Sequence, residues 1–177
     1  MKNRTYIIIL NIILISFSCN RIKKDAKNGL RNNEISQTWN NFLNIIESNN
    51  GKHFKELSSK KIRCYLCLEN TNTEQKEMEI LRENDSLWYH KIYDDLIYIP
   101  IDSFVKKDFH LIFNPEFVKI LKENETIFHK KIIEGIEYYE ILVTTTEPTL
   151  GHEGGQHNFQ FKKINGEWKF NEIGTIP

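Results

Sequence analysis

The chain has 177 residues, 40% of them apolar and 12% aromatic, enough for one domain with a substantial core and a targeting segment besides. Lys plus Arg and Asp plus Glu both number 24, so the formal charge is zero. Without Lys2 and Arg4 of the N-terminal segment the balance turns faintly acidic, which excludes the electrostatic footprint of a nucleic-acid-binding protein.

Residues 1–19 read MKNRTYIIILNIILISFSC. Lys2 and Arg4 give a positive start, Tyr6 to Phe17 is apolar apart from Asn11 and Ser16, and the small Ser18 precedes Cys19. Such an apolar run has the length of a signal-peptide core and falls short of the ~20 residues that span a bilayer. The segment resembles the signal peptide and lipobox of bacterial lipoproteins, with Ser16 and Phe17 where Leu and a small residue are commonest. The resemblance implies cleavage before Cys19 and acylation of Cys19. It also implies a place in the cell envelope, lipid-anchored outside the cytoplasm at the outer membrane or the periplasmic face. Several buried acyl chains, at ~0.8 kcal/mol per CH₂, hold a protein without a transmembrane helix. Plain secretion and a retained anchor helix are the alternatives.

The chain therefore divides into a signal peptide (1–18), a lipidated Cys with a tether (19–34) and one α+β domain (35–177). The tether is polar and basic, with Arg21, Lys23, Lys24, Lys27 and Arg31, and is expected to be flexible. A first helix is predicted over Ser36–Ser48, with Ser36 as N-cap and an apolar stripe of Trp39, Phe42, Leu43 and Ile46. The run from Ser48 to Gly51 stops it, and a short helix over His53–Leu57 follows. Residues 61–69 alternate apolar and polar and predict a strand. Asn70–Lys76 reads as a loop, Leu87–His90 and Leu96–Ile99 as short strands.

After Pro100, a helix capped by Asp102 is predicted over Ser103–Leu111, and Asn114-Pro115 marks the start of another. That second helix buries Phe117, Ile120 and Leu121. Thr126–Ile133 and Tyr138–Thr146 are strands about a turn at Glu134-Gly135. Asn158–Ile164 and Glu167–Ile173 flank Asn165-Gly166, the strongest short-range hairpin signal. The fold class is thus α+β, with N-terminal helices packed on a curved antiparallel sheet that ends in a meander. In the order of its elements, over residues 35–177, the domain resembles the nuclear transport factor two-like fold, which implies a sheet curved into a cone around helices. That fold hosts enzymes and binding modules alike and names no activity.

Chemistry-bearing residues are few. Cys64 and Cys67 form Cys-x-x-Cys and are the thiols left once Cys19 is acylated. An oxidising compartment favours a disulfide between them. A regular strand opposes it, holding the two about 10 Å apart where a disulfide wants Cα atoms within about 6.8 Å. A turn or helical start at Tyr65-Leu66 would reconcile the two, and unlinked thiols are the alternative. Leu68 after Cys67 excludes covalent haem attachment. Gly151–His157 places His152, Glu153 and His157 within one segment, residue types that ligate metals. Their spacing is not that of two His one helical turn apart, and the glycines suit a solvated turn. His90, His110 and His129 stand alone, and Asp94-Asp95 and Glu137–Glu140 read as solvated faces.

No cofactor is called for. The partners expected are membrane lipid through Cys19 and a small apolar ligand or an envelope protein held in the concavity of the sheet; nucleic acid is not among them. A lipid-tethered hydrolase using Glu and His groups in that concavity is the alternative from another class. A pocket with convergent titratable groups favours the enzyme. A closed apolar core favours neither and leaves an interaction surface.

Overall fold

The computed structural model describes residues 22–176, with side chains from Glu34 onward. The expected signal peptide and the expected acylation site Cys19 lie outside the described residues. By contacts the chain divides into two units, Met1–Thr38 and Trp39–Pro177.

In the first unit the described backbone is helical. Helix α1 runs Ile22–Glu47 and so begins inside the segment expected to be a tether. A nucleated helix gains one hydrogen bond for each residue it adds, and no proline stands in the way. Ser36 lies within this helix instead of capping it, and the Thr38 hydroxyl donates back to the Glu34 carbonyl at 3.0 Å. Among the described residues no helix is long and apolar enough to cross a membrane.

The second unit holds the last turns of α1 and everything after it. In chain order these are α2 (Gly51–Leu57), β1 (Ser58–Cys64), a 3-10 turn (Leu66–Leu68), α3 (Asn72–Asn84), α4 (Trp88–Lys91) and a π turn (Ile92–Leu96). Then come β2 (Tyr98–Pro100), α5 (Ile101–Lys107), α6 (Phe109–Ile112), α7 (Pro115–Glu123), β3 (Thr126–Ile133), β4 (Ile136–Thr146), β5 (Gly155–Ile164) and β6 (Glu167–Ile176). The strands form one curved, open sheet in the order β2-β1-β6-β5-β4-β3, so the fold is α+β. The sheet is mixed where an antiparallel one was expected, because β1 pairs parallel to β6. A parallel pair needs a long crossover, and everything between Cys64 and Glu167 supplies it.

Three local expectations are corrected. Of the loop expected over Asn70–Lys76, residues 72–76 are helical and begin a helix that runs to Asn84: Thr71 accepts from the Glu74 N–H at 3.2 Å while the Glu74 carboxylate takes the Thr71 N–H at 3.0 Å, a reciprocal cap that offsets the polar composition. Residues 88–91 form a helical turn, not a strand. The helix expected over Ser103–Leu111 is two helices, broken at the buried Asp108, whose carboxylate accepts from Asn70 Nδ2 at 2.9 Å. Its backbone carbonyl takes the N–H groups of Leu111 and Ile112 at 3.0 and 2.9 Å and so starts α6.

One face of the sheet is apolar. Tyr139, Ile141, Val143, Phe159, Phe161, Trp168, Phe170 and Ile173 alternate along β4, β5 and β6 and are buried, as a half-covered sheet requires. Phe42 of α1 lies on them, with ring centroids 5.2 Å from Phe170 and 5.7 Å from both Phe159 and Phe161. Phe54 of α2 joins Phe42 to the Phe104 and Phe109 rings of α5 and α6, at centroid distances of 6.0, 5.5 and 4.8 Å. The concavity is thus filled by aromatic side chains and forms the core. The other face carries Arg63, Gln160, Lys162, Lys169 and Glu172, which alternate with the buried residues.

Both hairpin turns of the meander take the left-handed backbone. Asn165 and Gly166 have φ of 51° and 85°, Glu134 and Gly135 of 51° and 79°, which matches the twist of the flanking strands.

Candidate functional site

A concave feature of the described residues lies among helices. It is a groove of about 690 Å³ between the end of α1, α6 and the length of α7. Local sequence builds each wall. The helix α1 stops because Ser48 Oγ donates to the Asn44 and Ile45 carbonyls, at 2.8 and 3.1 Å, and Asn49 turns left-handed with φ of 49°. Asn50 then caps α2 by accepting from the His53 N–H at 3.1 Å. Helix α7 starts as read from sequence: Asn114 Oδ1 accepts from the Phe117 N–H at 3.0 Å, and Pro115 occupies the first helical position. The buried side of α7 is Val118 and Leu121, with Phe117 and Ile120 half-buried beside them.

Ile46, Phe113, Pro115 and Val118 make the groove apolar, and Glu47, His110, Lys119, Lys122 and Glu123 bring charge to it. Lys122 Nζ donates to Glu47 Oε1 at 2.6 Å and ties α7 to the end of α1. Lys119 and Glu123 face each other at 4.0 Å along α7. An apolar trough with charged groups at hand suits a ligand with an apolar body and a polar end. The carboxylate of Glu47 is thus engaged by a lysine.

His157 stands beside this region on β5. Its ring packs edge-on to Phe117 of α7 with centroids 4.6 Å apart, and its Nδ1 lies 2.8 Å from Thr145 Oγ1. Burial pushes its pKa down to about 4, so the ring is neutral near neutral pH. His152 is engaged differently: its Nδ1 accepts from the Gly154 N–H at 2.9 Å, and its backbone pairs with Thr149. Glu153 is exposed. Among the described residues no group of three His, Cys, Asp or Glu side chains is gathered for a metal, so His152, Glu153 and His157 do not meet in one centre. The glycines explain the segment better. Gly154 has φ of 89°, and a Cβ there would stand 2.8 Å from the Thr146 carbonyl oxygen.

Cys64 and Cys67 are joined by a disulfide with Cα atoms 5.4 Å apart. The strand ends at Cys64, and Tyr65 turns helical at φ −67° and ψ −40°, which brings residues three apart within bonding reach. Beside it, Arg82 of α3 donates to the Tyr65 hydroxyl at 2.5 Å and to the Glu69 carboxylate. Burial, with Glu69 adding to it, pushes the Tyr65 phenol above its ordinary value. The chain matches no protein-family model and no curated protein.

Sequence reasoning missed the groove. Its apolar residues come from separate helices, each with an ordinary buried stripe; the stop after Ser48 and the start at Asn114-Pro115 announced two of its walls but not that they meet.

Proposed function

We propose that this chain is a lipoprotein of the bacterial cell envelope, held outside the cytoplasm by acyl chains on Cys19, whose domain binds a small, largely apolar ligand. The anchoring part rests on the N-terminal sequence, with Lys2 and Arg4, the apolar run and Ser18-Cys19. The binding part rests on one observation, the groove of about 690 Å³ with Ile46, Phe113 and Val118 inside it and Lys119 and Lys122 beside them. Its volume lies in the range of small-molecule sites, about 300–1,000 Å³. The concavity of the sheet, where a ligand was first expected, is occupied by the Phe42, Phe159, Phe161 and Phe170 rings. The groove takes over that role in this reading.

The test has two arms. Palmitate labelling of the full chain should be lost in Cys19→Ser, and undiminished labelling would overturn the anchor. The neutral fluorophore N-phenyl-1-naphthylamine should bind the full chain and lose at least about tenfold in affinity in Val118→Trp, which fills the groove. Lys119→Trp, at an exposed position, checks that a loss does not come from misfolding. Equal uptake by both variants and the wild type would sink the groove as the site. Failure to bind any apolar probe, with capture of an envelope protein that Val118→Trp abolishes, would transfer the groove to a protein partner.

A further inference from the structure

A second concave feature lies on the face of the sheet away from the aromatic core. It is a basin of about 520 Å³ bounded by β1, β5 and β6 with Tyr98 of β2. Every charged residue that lines it is a cation: Lys60, Lys61, Arg63, Lys162 and Lys169. Three strands converge to produce this, and a chain of zero formal charge gives no reason to expect it.

Two of the cations oppose each other. Lys162 of β5 and Lys169 of β6 are direct cross-strand partners, an arrangement that destabilises a sheet when the charges are alike. Lys169 is partly compensated by Glu167 at 2.8 Å and by the Glu56 carbonyl at 2.9 Å, and Arg63 by Glu172 at 2.6 Å. Lys60, Lys61 and Lys162 have no such partner among the described residues. Elsewhere Lys55, Lys91, Lys119, Lys122, Lys130 and Lys131 each meet a carboxylate, while other lysines without an ion pair among the described residues, such as Lys52 and Lys76, are not gathered in a basin with like charges.

The backbone shapes the basin. Between Ser58 and Arg63, β1 takes five steps while β6 takes two, from Phe170 to Glu172, so β1 bulges where Ser59, Lys60 and Lys61 lie. Bulges re-aim side chains, and they recur beside functional sites. On β6 the extra residue is Asn171, whose amide donates to Gln160 Oε1 at 2.9 Å and which also lines the basin. Ser59 adds an independent sign. It is only 6% exposed, it lines the basin, and its hydroxyl is buried without a hydrogen-bond partner. Such a group is costly unless something satisfies it.

We propose that this basin is a binding site for a phosphate-type oxyanion, held by Lys60, Lys61, Lys162 and Lys169, with the Ser59 hydroxyl as a further donor when the flexible lysine chains rearrange around the ligand. A multiply charged oxyanion fits better than a single carboxylate, because three lysines lack a counter-charge and lysine acts on phosphate as a mobile point charge. The patch is a compact basin and not a stripe, so it does not suit a nucleic-acid backbone. The phosphate can belong to a soluble molecule or to an anionic lipid headgroup.

The experiment uses the full chain and inorganic phosphate, with chloride at matched ionic strength as reference. Phosphate should raise the melting temperature and should protect Lys60, Lys61, Lys162 and Lys169 from acetylation, read by mass spectrometry. The exposed Lys119 should stay reactive. Lys162→Gln should melt higher than the wild type without phosphate, since the repulsion with Lys169 is gone. It should bind phosphate at least about tenfold more weakly. Ser59→Ala should fold and also weaken binding. Equal effects of phosphate and chloride, or a phosphate response unchanged in Lys162→Gln and Lys61→Gln, would overturn the site. The source is read by repeating the acetylation in vesicles of phosphatidylcholine with and without phosphatidylglycerol. Protection by the anionic lipid that phosphate competes away assigns a headgroup. Protection by phosphate alone assigns a soluble ligand.

Discussion

Thr145 and His157, on the neighbouring strands β4 and β5, meet at 2.8 Å between Oγ1 and Nδ1. The Phe117 ring lies 4.6 Å away, and the burial of the imidazole favours its neutral form.

A pH dependence follows from this pair. The folded pKa of His157 is lowered to about 4 from 6.5. As pH falls below 6.5 the unfolded chain takes up this proton and the folded one does not. Stability present above pH 6.5 is therefore lost progressively down to about pH 4. The loss from this one group is at most about 3 kcal/mol. Urea unfolding between these pH values should show a shallower slope in His157→Asn, which cannot take up a proton. Identical slopes in the two proteins would show that the imidazole titrates normally in the fold.

The disulfide should matter little to overall stability. Cys64 and Cys67 close a loop too short to restrain much of the unfolded chain, so reduction should cost less than the ~3 kcal/mol expected of a fifteen-residue loop. The domain should stay folded, with local loosening at Leu66–Leu68. Melting with and without a reductant measures the first, and hydrogen exchange the second. Blocking of both thiols by an alkylating agent in unreduced native protein would contradict the bond itself.

The two meander turns offer a paired test. At Gly166, with φ of 85°, Val should destabilise the domain by about 1 kcal/mol or more, because a β-branched residue is strained there. At Glu134, with φ of 51°, the chain already carries that kind of strain. Replacement by Asn, which tolerates the left-handed region, should therefore stabilise by up to about 1 kcal/mol. Opposite shifts of the melting temperature are expected. Equal shifts would mean that the turns differ from those described.

Phe42 should be the costliest aromatic to remove. It is fully buried and packs on Phe54, Phe113 and Phe170 at centroid distances of 6.0, 5.6 and 5.2 Å. Truncation to Ala should cost about 3–5 kcal/mol, a large share of a typical domain's stability. The half-buried Phe117 should cost clearly less when truncated in the same way. Denaturant midpoints of the two variants provide the comparison.

Features that depend on neighbours along the chain were legible in the residues themselves. Asn165-Gly166 set a hairpin because both residues tolerate positive φ. Asn114-Pro115 set a helix start because the asparagine side chain reaches the Phe117 N–H. Trp39, Phe42 and Ile46 came to share a buried face because the helix repeats every 3.6 residues. The cap formed by Thr71 and Glu74 was equally local and could have been read, but the polar composition around it suggested a loop.

Features that depend on pairing across long stretches of chain were not legible in the sequence and come from packing in three dimensions. No local pattern states that β1 lies parallel to β6, yet that pairing places Arg63 against Glu172 and brings Lys61 to the same basin as Lys162 and Lys169. The β1 residues themselves looked like one alternating strand through Glu69. The chain instead turns after Cys64 and lets the two cysteines bond, an outcome that regular strand spacing forbids. The groove arose in the same way, since Ile46 and Val118 each belong to an ordinary apolar stripe and become one site only where α1 ends beside α7. Periodicity fixes which face of an element is apolar. Which faces meet, and what space they leave between them, is set by packing many such faces at once.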